Sequence, residues 1–355
     1  MADFGGWSMP IEYASVVAEH TAVRQAVGIF DVSHMGKVRI HGPGAVEALN
    51  AILANDLTRI ADGQAQYSLL CNEQGGVIDD LIVYRWRDDE LFIVPNAANA
   101  GAVVAALHTA LRESAQADAV EVDDLHDSHG IIAVQGPKSA AVLEDLGLPF
   151  AHEYMTMVAS TFDAEPVVVC RTGYTGEHGY ELVLPNQTLG AAWDALVERS
   201  KEFGLQRAGL GARDTLRTEM GYPLHGQDIS AQITPVQAGL GWAVGWSKPT
   251  FMGRTALLEE RATGPVRRLR GLRSLDRGIP RMHMTVHRSA ATPLGGPVVG
   301  EVTSGTFSPT LRQGIGLALL DAAIEPGERV IVDVRGRESE FEVVKPPFVQ
   351  PSTRQ

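Results

Sequence analysis

Apolar residues recur at Val16, Val17, Val23 and Val27 along residues 14–26, a spacing that predicts an amphipathic helix with Gly28 as its stop. A strand follows over 37–40, then a helix over 44–53. Strands come next at 65–71, 77–86 and 90–95, with Asp88-Asp89 turning the chain between the last two. Residues 97–111 read as an alanine-rich helix whose expected cap is Asn96. A second set begins with strand 130–135, the turn Gly136-Pro137, helix 138–145 and strand 166–171. The polar glycine loop Thr172-Gly173-Tyr174-Thr175-Gly176-Glu177-His178-Gly179 leads into strand 180–184, and helices over 187–203 and 211–220 follow. Strands and helices mixed at hairpin-length gaps predict α+β layers rather than repeated βαβ units. From Ala262-Thr263-Gly264-Pro265 onward the helical period gives way to short strands broken by Gly and Pro, as in a separate barrel or sandwich.

Two adjacent acids interrupt one of these strands. Gly75-Gly76-Val77-Ile78-Asp79-Asp80-Leu81-Ile82-Val83-Tyr84 otherwise reads as a buried β-branched run, entered through a tight turn at Gly75-Gly76. An ionised acid inside such a run costs several kcal/mol unless a partner or ligand compensates it. Strand side chains alternate, so Asp80, Ile82 and Tyr84 share one face while Asp79, Leu81 and Val83 share the other. Either Asp80 meets an arginine in a scaffold ion pair, with Asp79 capping a turn, or the carboxylate serves a ligand.

Composition narrows the classes. At 355 residues, 45% apolar and 21% charged, the chain is an ordinary globular protein of two or three domains. A net charge of −13 argues against nonspecific nucleic-acid binding. Cys71 and Cys170 are the only cysteines, and no C-x-x-C or H-E-x-x-H spacing offers a metal site, so a reducing compartment and two small buried hydrophobes are expected. No apolar run approaches the roughly 20 residues of a membrane span, and no secretory signal is visible, so the expected location is cytoplasmic, with no membrane or nucleic-acid partner. Gly239-Leu-Gly241 and Gly314-Ile-Gly316 miss the dinucleotide spacing, and no phosphate-loop G-K-[ST] occurs.

What remains is chemistry built on acids, tyrosines and arginines. Arg213 and Arg217 stand four apart on one helix, where their charges repel unless Asp214 and Glu219 neutralise them or an anion binds between them. Glu181 faces opposite to Tyr180, Leu182 and Leu184, with Tyr174 on the preceding loop, a pairing that suits either an ordinary edge strand or recognition of a nitrogen heterocycle. Arg267, Arg268, Arg270, Arg273, Arg277 and Arg281 form a basic run that is either a half-solvated strand or a seat for an acidic partner or polyanionic tail. His34, His178 and His225 read as polar loop residues.

Taken in order, Phe4-Gly5-Gly6-Trp7, Gly28 to Gly36, Gly75 to Tyr84, Val94-Pro95-Asn96-Ala97, Arg171 to Glu177, Gly209 to Glu219, Gly241-Trp242, Val302 to Thr310 and Pro346-Pro347-Phe348 span nearly the whole chain. With these segments the chain resembles the T-protein of the glycine cleavage system, the aminomethyltransferase family. The resemblance implies an α+β, three-domain cloverleaf around a central hole, with two mixed domains and a C-terminal antiparallel β-barrel. The expected division is 1–40 with 121–263 as a discontinuous first domain, 41–120 inserted, and 264–355 as the barrel. It also implies tetrahydrofolate as co-substrate and the lipoylated H-protein as partner: the aminomethyl group on the lipoyl arm passes to folate, releasing ammonia and leaving 5,10-methylenetetrahydrofolate. Carried over by motif, Asp80 is the catalytic acid. Tyr67, Tyr84, Asn96, Tyr174 and Glu181 line the pterin and aminobenzoate site, Arg213 neighbours the folate and the incoming arm, and Tyr222 joins them. A fixed carboxylate would stabilise the electron-poor methylene and raise the nucleophilicity of a nearby ring amine.

The chain opens at the F-G-G-W motif, where relatives usually carry a short upstream segment, and Met282 to His287 departs from the usual hairpin. Folate-dependent demethylases share the fold but usually add a flavin domain. Non-transferase folate-binding relatives carry a K-G-C-x-x-G-Q-E signature where this chain has Met220 to Asp228, without the cysteine.

Overall fold

The computed structural model describes residues 1–114, 116–289 and 296–354. Two open sheets and a closed barrel account for most of it. The first sheet has six strands in the order Met157–Phe162, Glu165–Cys170, Gly179–Pro185, His129–Gln135, Val27–Asp31 and Leu205–Arg207. Its alternation sends Ile29, Ile132, Val134, Leu182 and Leu184 to one face, where the helices Ser139–Asp145 and Asn186–Arg199 cover them. Phe30, Ile131, Ala133 and Val183 point to the other face.

The second sheet runs Ala65–Cys71, Val77–Arg87, Glu90–Pro95, Val38–His41 and Glu121–Asp124. Leu81, Val83 and Ile93 pack under the helices Ala45–Ile52 and Ala100–Arg112, forming a core of their own. Tyr84, Phe92 and Ala65 lie on the opposite side and join the outward face of the first sheet. The two sheets therefore meet along the face that carries Asp80.

Strands Arg267–Ser274, Gln313–Asp321, Val298–Ser308, Thr285–Arg288, Arg329–Asp333 and Glu338–Val344 close into an antiparallel barrel around Leu272, Val302, Leu320, Val332 and Phe341. A further core ties the parts together: Leu69, Cys71 and Val77 of the second sheet, Ile229 to Leu257 of the connecting segment, and Leu319 of the barrel. Hydrophobic burial at about 25 cal/mol per Å² is the main force holding such junctions.

Some elements depart from the pattern. Helix Val16–Gln25 ends before Gly28, which lies inside a strand, where a Cβ would come within 2.4 Å of the Val23 side chain. Glycine there lets helix and strand pack closely; it does not stop the helix. Helix Arg254–Thr263, absent from the hydrophobic pattern, buries only Leu257 and ends at Gly264 with φ near +84°. Both cysteines are free and buried, as expected, and burial pushes the Cys71 thiol up to about 12. No helix among the described residues is long and apolar enough to cross a membrane.

Candidate active site

The turn that sets Asp79 and Asp80 is built as its glycines suggest. Gly75 adopts φ near +82°, its N–H donates to the Asn72 carbonyl at 2.9 Å, and the Gly76 N–H donates to Asn72 Oδ1 at 2.9 Å. A Cβ on Gly76 would lie 1.9 Å from the Ala231 carbonyl oxygen, so only glycine admits the 230s segment against this hairpin. That segment pairs with Val77, and His225 Nε2 lies 2.9 Å from the Val77 carbonyl.

Along the strand the two acids diverge as alternation requires. Asp79 is fully buried beside Leu81 and Val83, and Asp80 is half-buried on the face of Tyr84. Register places Leu69 opposite Asp80 and Tyr67 opposite Ile82, so Tyr67 is a diagonal neighbour of Asp80 on the same face. Its hydroxyl donates to Asp80 Oδ2 at 3.0 Å.

Asn96 was expected to cap a helix and does not. The chain enters that helix through a short 3-10 turn at Ala97–Asn99, and the Asn96 amide reaches backward instead, donating to Asp80 Oδ1 at 2.7 Å and Asp79 Oδ1 at 2.9 Å. Asp79 also accepts the Asn96 backbone N–H at 2.9 Å and the Asn99 amide at 2.7 Å. Among the described residues neither acid has an ion pair, so the scaffold-arginine alternative does not hold. Burial, followed by the neighbouring Asp80 charge, pushes Asp79 up to about 7. Burial also raises Asp80, against the hydrogen bond from Tyr67 and the nearby His225.

A second group gathers on the Tyr174 ring. Arg213 lies over it at 4.7 Å, and Tyr222 stacks on it with centroids 5.6 Å apart. Burial is the main reason the Tyr174 hydroxyl is raised; the Asp80 charge adds to it and Arg217 opposes it, which places Tyr174 within the field of the carboxylate. Among the described residues the Arg213 guanidinium has no hydrogen bond or ion pair. Arg217 has the opposite fate: it is buried, donating to Asp214 at 2.8 Å, to Asp228 at 2.8 Å and to Ser304 at 2.8 Å. Of the two acids expected to neutralise the pair, Asp214 reaches Arg217 alone, Glu219 turns to Arg24 instead, and Asp228 supplies the second carboxylate on Arg217.

A third group is a relay. The Thr172 hydroxyl donates to Glu181 Oε2 at 2.5 Å and accepts the Tyr84 hydroxyl at 2.8 Å. Tyr84 is almost completely buried and holds Glu181 indirectly, whereas Glu181 itself is half-buried. Burial keeps both Tyr67 and Tyr84 far above the ordinary phenol range, so each remains a hydrogen-bond donor.

Three residues here escaped the sequence reading. Thr172 orients Glu181, and nothing in its local pattern marks it. The Trp242 ring stacks on Tyr67 at 5.3 Å, a position flagged only by the Gly241-Trp242 pair. His34 is buried, lines a small pocket with Tyr13, Asp31 and Arg213, and has no partner among the described residues for either ring nitrogen. Burial and then Arg213 push it down to about 3, so the imidazole stays neutral. Away from the site, His41, Glu121 and Asp123 meet on the outer strands, where Arg39 also approaches Asp123 at 3.8 Å.

These groups combine a carboxylate of high proton affinity, phenol donors, aromatic faces, a second acid and an uncommitted guanidinium. Such a set suits a planar nitrogen heterocycle carrying an anionic tail.

The chain is similar to known proteins over nearly its whole length. Residues 1–248 match the family model described as the GCVT N-terminal domain, and residues 267–350 match the glycine cleavage T-protein C-terminal barrel domain. The chain is 58% identical over 99% of its length to an aminomethyltransferase of Parafrankia sp. (strain EAN1pec), covering 94% of that protein. It is 56% identical to an aminomethyltransferase of Mycobacterium avium (strain 104), with the same 99% and 94% coverage. The crystal structure of the glycine cleavage system aminomethyltransferase T from Bartonella henselae superposes with a TM-score of 0.92 at 35% identity, covering 100% of this chain and 95% of that one.

Proposed function

The chain belongs to the glycine cleavage T-protein family, and on that premise we propose that Asp80 is the catalytic acid of its aminomethyl transfer. As an aminomethyltransferase it moves the methylene of an aminomethyl-lipoyl group to tetrahydrofolate, with release of ammonia. The lipoyl arm is carried by the H-protein, and the product is 5,10-methylenetetrahydrofolate.

Tetrahydrofolate supplies the ring amine that accepts the methylene. Asp80 is placed to favour that step in two ways. Its charge stabilises the positive character that develops on the methylene, and its raised proton affinity suits it to take the amine proton at Oδ1 or Oδ2. Tyr67 and Asn96 each donate to one of its oxygens and so fix the carboxylate plane. Glu181, steadied by Thr172 and Tyr84, offers an acceptor for ring N–H groups. Tyr174 and Tyr222 supply aromatic faces for the pterin and aminobenzoate rings, and Arg213 is free to bind an anion.

The observation that carries the assignment is a buried-face carboxylate, aimed by two neutral donors, with no cation paired to it among the described residues. The test supplies aminomethyl-loaded H-protein and tetrahydrofolate and follows ammonia release. Asp80→Asn is nearly isosteric, so it should fold and bind folate, while transfer falls by roughly a hundredfold or more, the scale of a lost electrostatic and proton-transfer group. Full turnover in that variant would remove Asp80 from the mechanism.

A further inference from the structure

Besides the Tyr174 ring, Arg213 borders a second space. A cavity of about 10 Å³, room for one water-sized molecule, lies between the start of helix Leu210–Met220 and the end of strand Val27–Asp31 with the loop that follows it. Phe30, Val32 and Leu210 give it apolar walls, and His34 and Arg213 line it with polar groups. It reaches the surface at Tyr13 and Asp31, both exposed.

His34 is only 1% exposed, and among the described residues neither of its ring nitrogens has a hydrogen-bond partner. The Phe4 ring meets the imidazole edge to face at 5.3 Å and so fixes it without satisfying it. A buried polar group left in that condition is costly, and a small polar molecule in the cavity would relieve it. Charge and size select the molecule. His34 is neutral, so it offers one N–H donor and one lone-pair acceptor. A cation beside it would face the Arg213 guanidinium, because the Asp31 carboxylate stands at the mouth with Oδ1 taken by the Ser33 N–H at 2.9 Å. A carboxylate or phosphate exceeds the volume. What fits is a neutral molecule the size of water that both donates and accepts.

The transfer produces such a molecule. As the methylene moves to the two folate amines, its bond to the amino nitrogen breaks and the pair stays on that nitrogen. The amines give up two protons, one to this nitrogen, which leaves as ammonia, and one to the lipoyl sulfur. We propose that the cavity behind Arg213 receives the released ammonia, with His34 donating to its lone pair or accepting from its N–H, and passes it out at Asp31, where it takes a proton from solvent. The inference rests on the reading that places the aminomethyl group beside Asp80 and Arg213. Neutral ammonia moves past the guanidinium without the repulsion ammonium would meet, and the carboxylate at the mouth favours the cation once it forms.

The test runs the reaction in reverse, from 5,10-methylenetetrahydrofolate, the reduced lipoylated H-protein and an ammonium salt, and measures the KM for ammonia. In His34→Leu that KM should rise about three- to tenfold, the scale of one lost neutral hydrogen bond, while the KM for the folate and the melting temperature stay near wild type. His34→Asn, which keeps one neutral donor and one acceptor, should recover part of the loss. Val32→Ile adds a methyl group to the wall, leaves His34 intact and should raise the ammonia KM as well. Added ammonium should inhibit the forward reaction less in each variant than in wild type. An ammonia KM unmoved in His34→Asn and Val32→Ile would overturn the proposal and leave the cavity as a hydration site of Arg213. So would a rise in the folate KM equal to that for ammonia, which would make His34 a support of the folate site. Full forward turnover of Asp80→Asn would instead bring down the placement of the methylene at Asp80, and the ammonia KM would still report on the cavity.

Discussion

Asp79 and Asp80 are neighbours in sequence on opposite faces of a strand, yet one amide, that of Asn96, donates to both. The amide draws the two carboxyl groups into one electrostatic unit. Asp79, raised to about 7 by burial and by Asp80, holds its proton more tightly folded than unfolded. Its contribution to stability is therefore present below the ordinary carboxylate range near pH 4 and is lost as pH rises through about 7. Replacing Asp80 with Asn removes the like charge, so Asp79 should titrate lower, as carboxyl carbon NMR would show. The same variant should gain in melting temperature relative to wild type as pH is raised from about 5 to about 8. An unshifted Asp79 would mean that burial alone sets its affinity. At this scale Asp80 was legible because a charge in an apolar run is conspicuous. Thr172 and His34 were not, because a hydroxyl or imidazole in a loop carries no pattern until its neighbours are placed.

On the helix Leu210–Met220, spacing showed that Arg213 and Arg217 share a side but left open which of them answers to an anion and which to an acid. The neighbour that decides this is Asp228, eleven residues beyond Arg217 and buried with it. Arg217→Ala would leave Asp228 unpaired in the interior and should cost about 3–5 kcal/mol, read as a large drop in melting temperature. Arg213→Ala should instead raise KM for folate or loaded H-protein while the melting temperature moves little. If the two variants behave alike, the division of roles is wrong. Elements with a wide apolar stripe, such as Ala45–Ile52, were legible as periodicity, whereas Arg254–Thr263 buries a single leucine and left no stripe to read.

For the molecule as a whole, Glu219 is the point where barrel and sheets are joined. Burial would raise its pKa, but hydrogen bonds from His20 and Ser308 and the Arg24 charge outweigh it and hold Glu219 down to about 2. Arg24 donates to it at 2.8 Å and the Thr310 hydroxyl at 3.0 Å, while its backbone carbonyl accepts the Phe348 N–H at 2.8 Å. Glu219→Ala would strand Arg24 and His20 and loosen Ser308 and Thr310, at a cost of about 3–5 kcal/mol. Limited proteolysis should then cut near Gly264-Pro265, releasing a barrel fragment that the wild-type protein protects. Unchanged protection would mean that the apolar junction around Leu257 and Leu319 suffices by itself.

The amino-acid order alone determined the strands and helices with a clear period, such as 65–71, 77–86, 90–95 and Ala45–Ile52, and that an acid stands in an apolar strand, since each of these is local patterning; strand Val27–Asp31 and helix Arg254–Thr263 left no such pattern. The family motifs added the expected reaction and the residues expected to carry it. Tertiary structure alone decided the partners: that Asn96 serves the acids and not a helix, that Arg217 is consumed by Asp228 while Arg213 stays free, and that an exposed tryptophan lies against Tyr67. Those outcomes depend on contacts between residues far apart in the chain, and alternation or spacing within one segment carries no information about what the opposite wall will present.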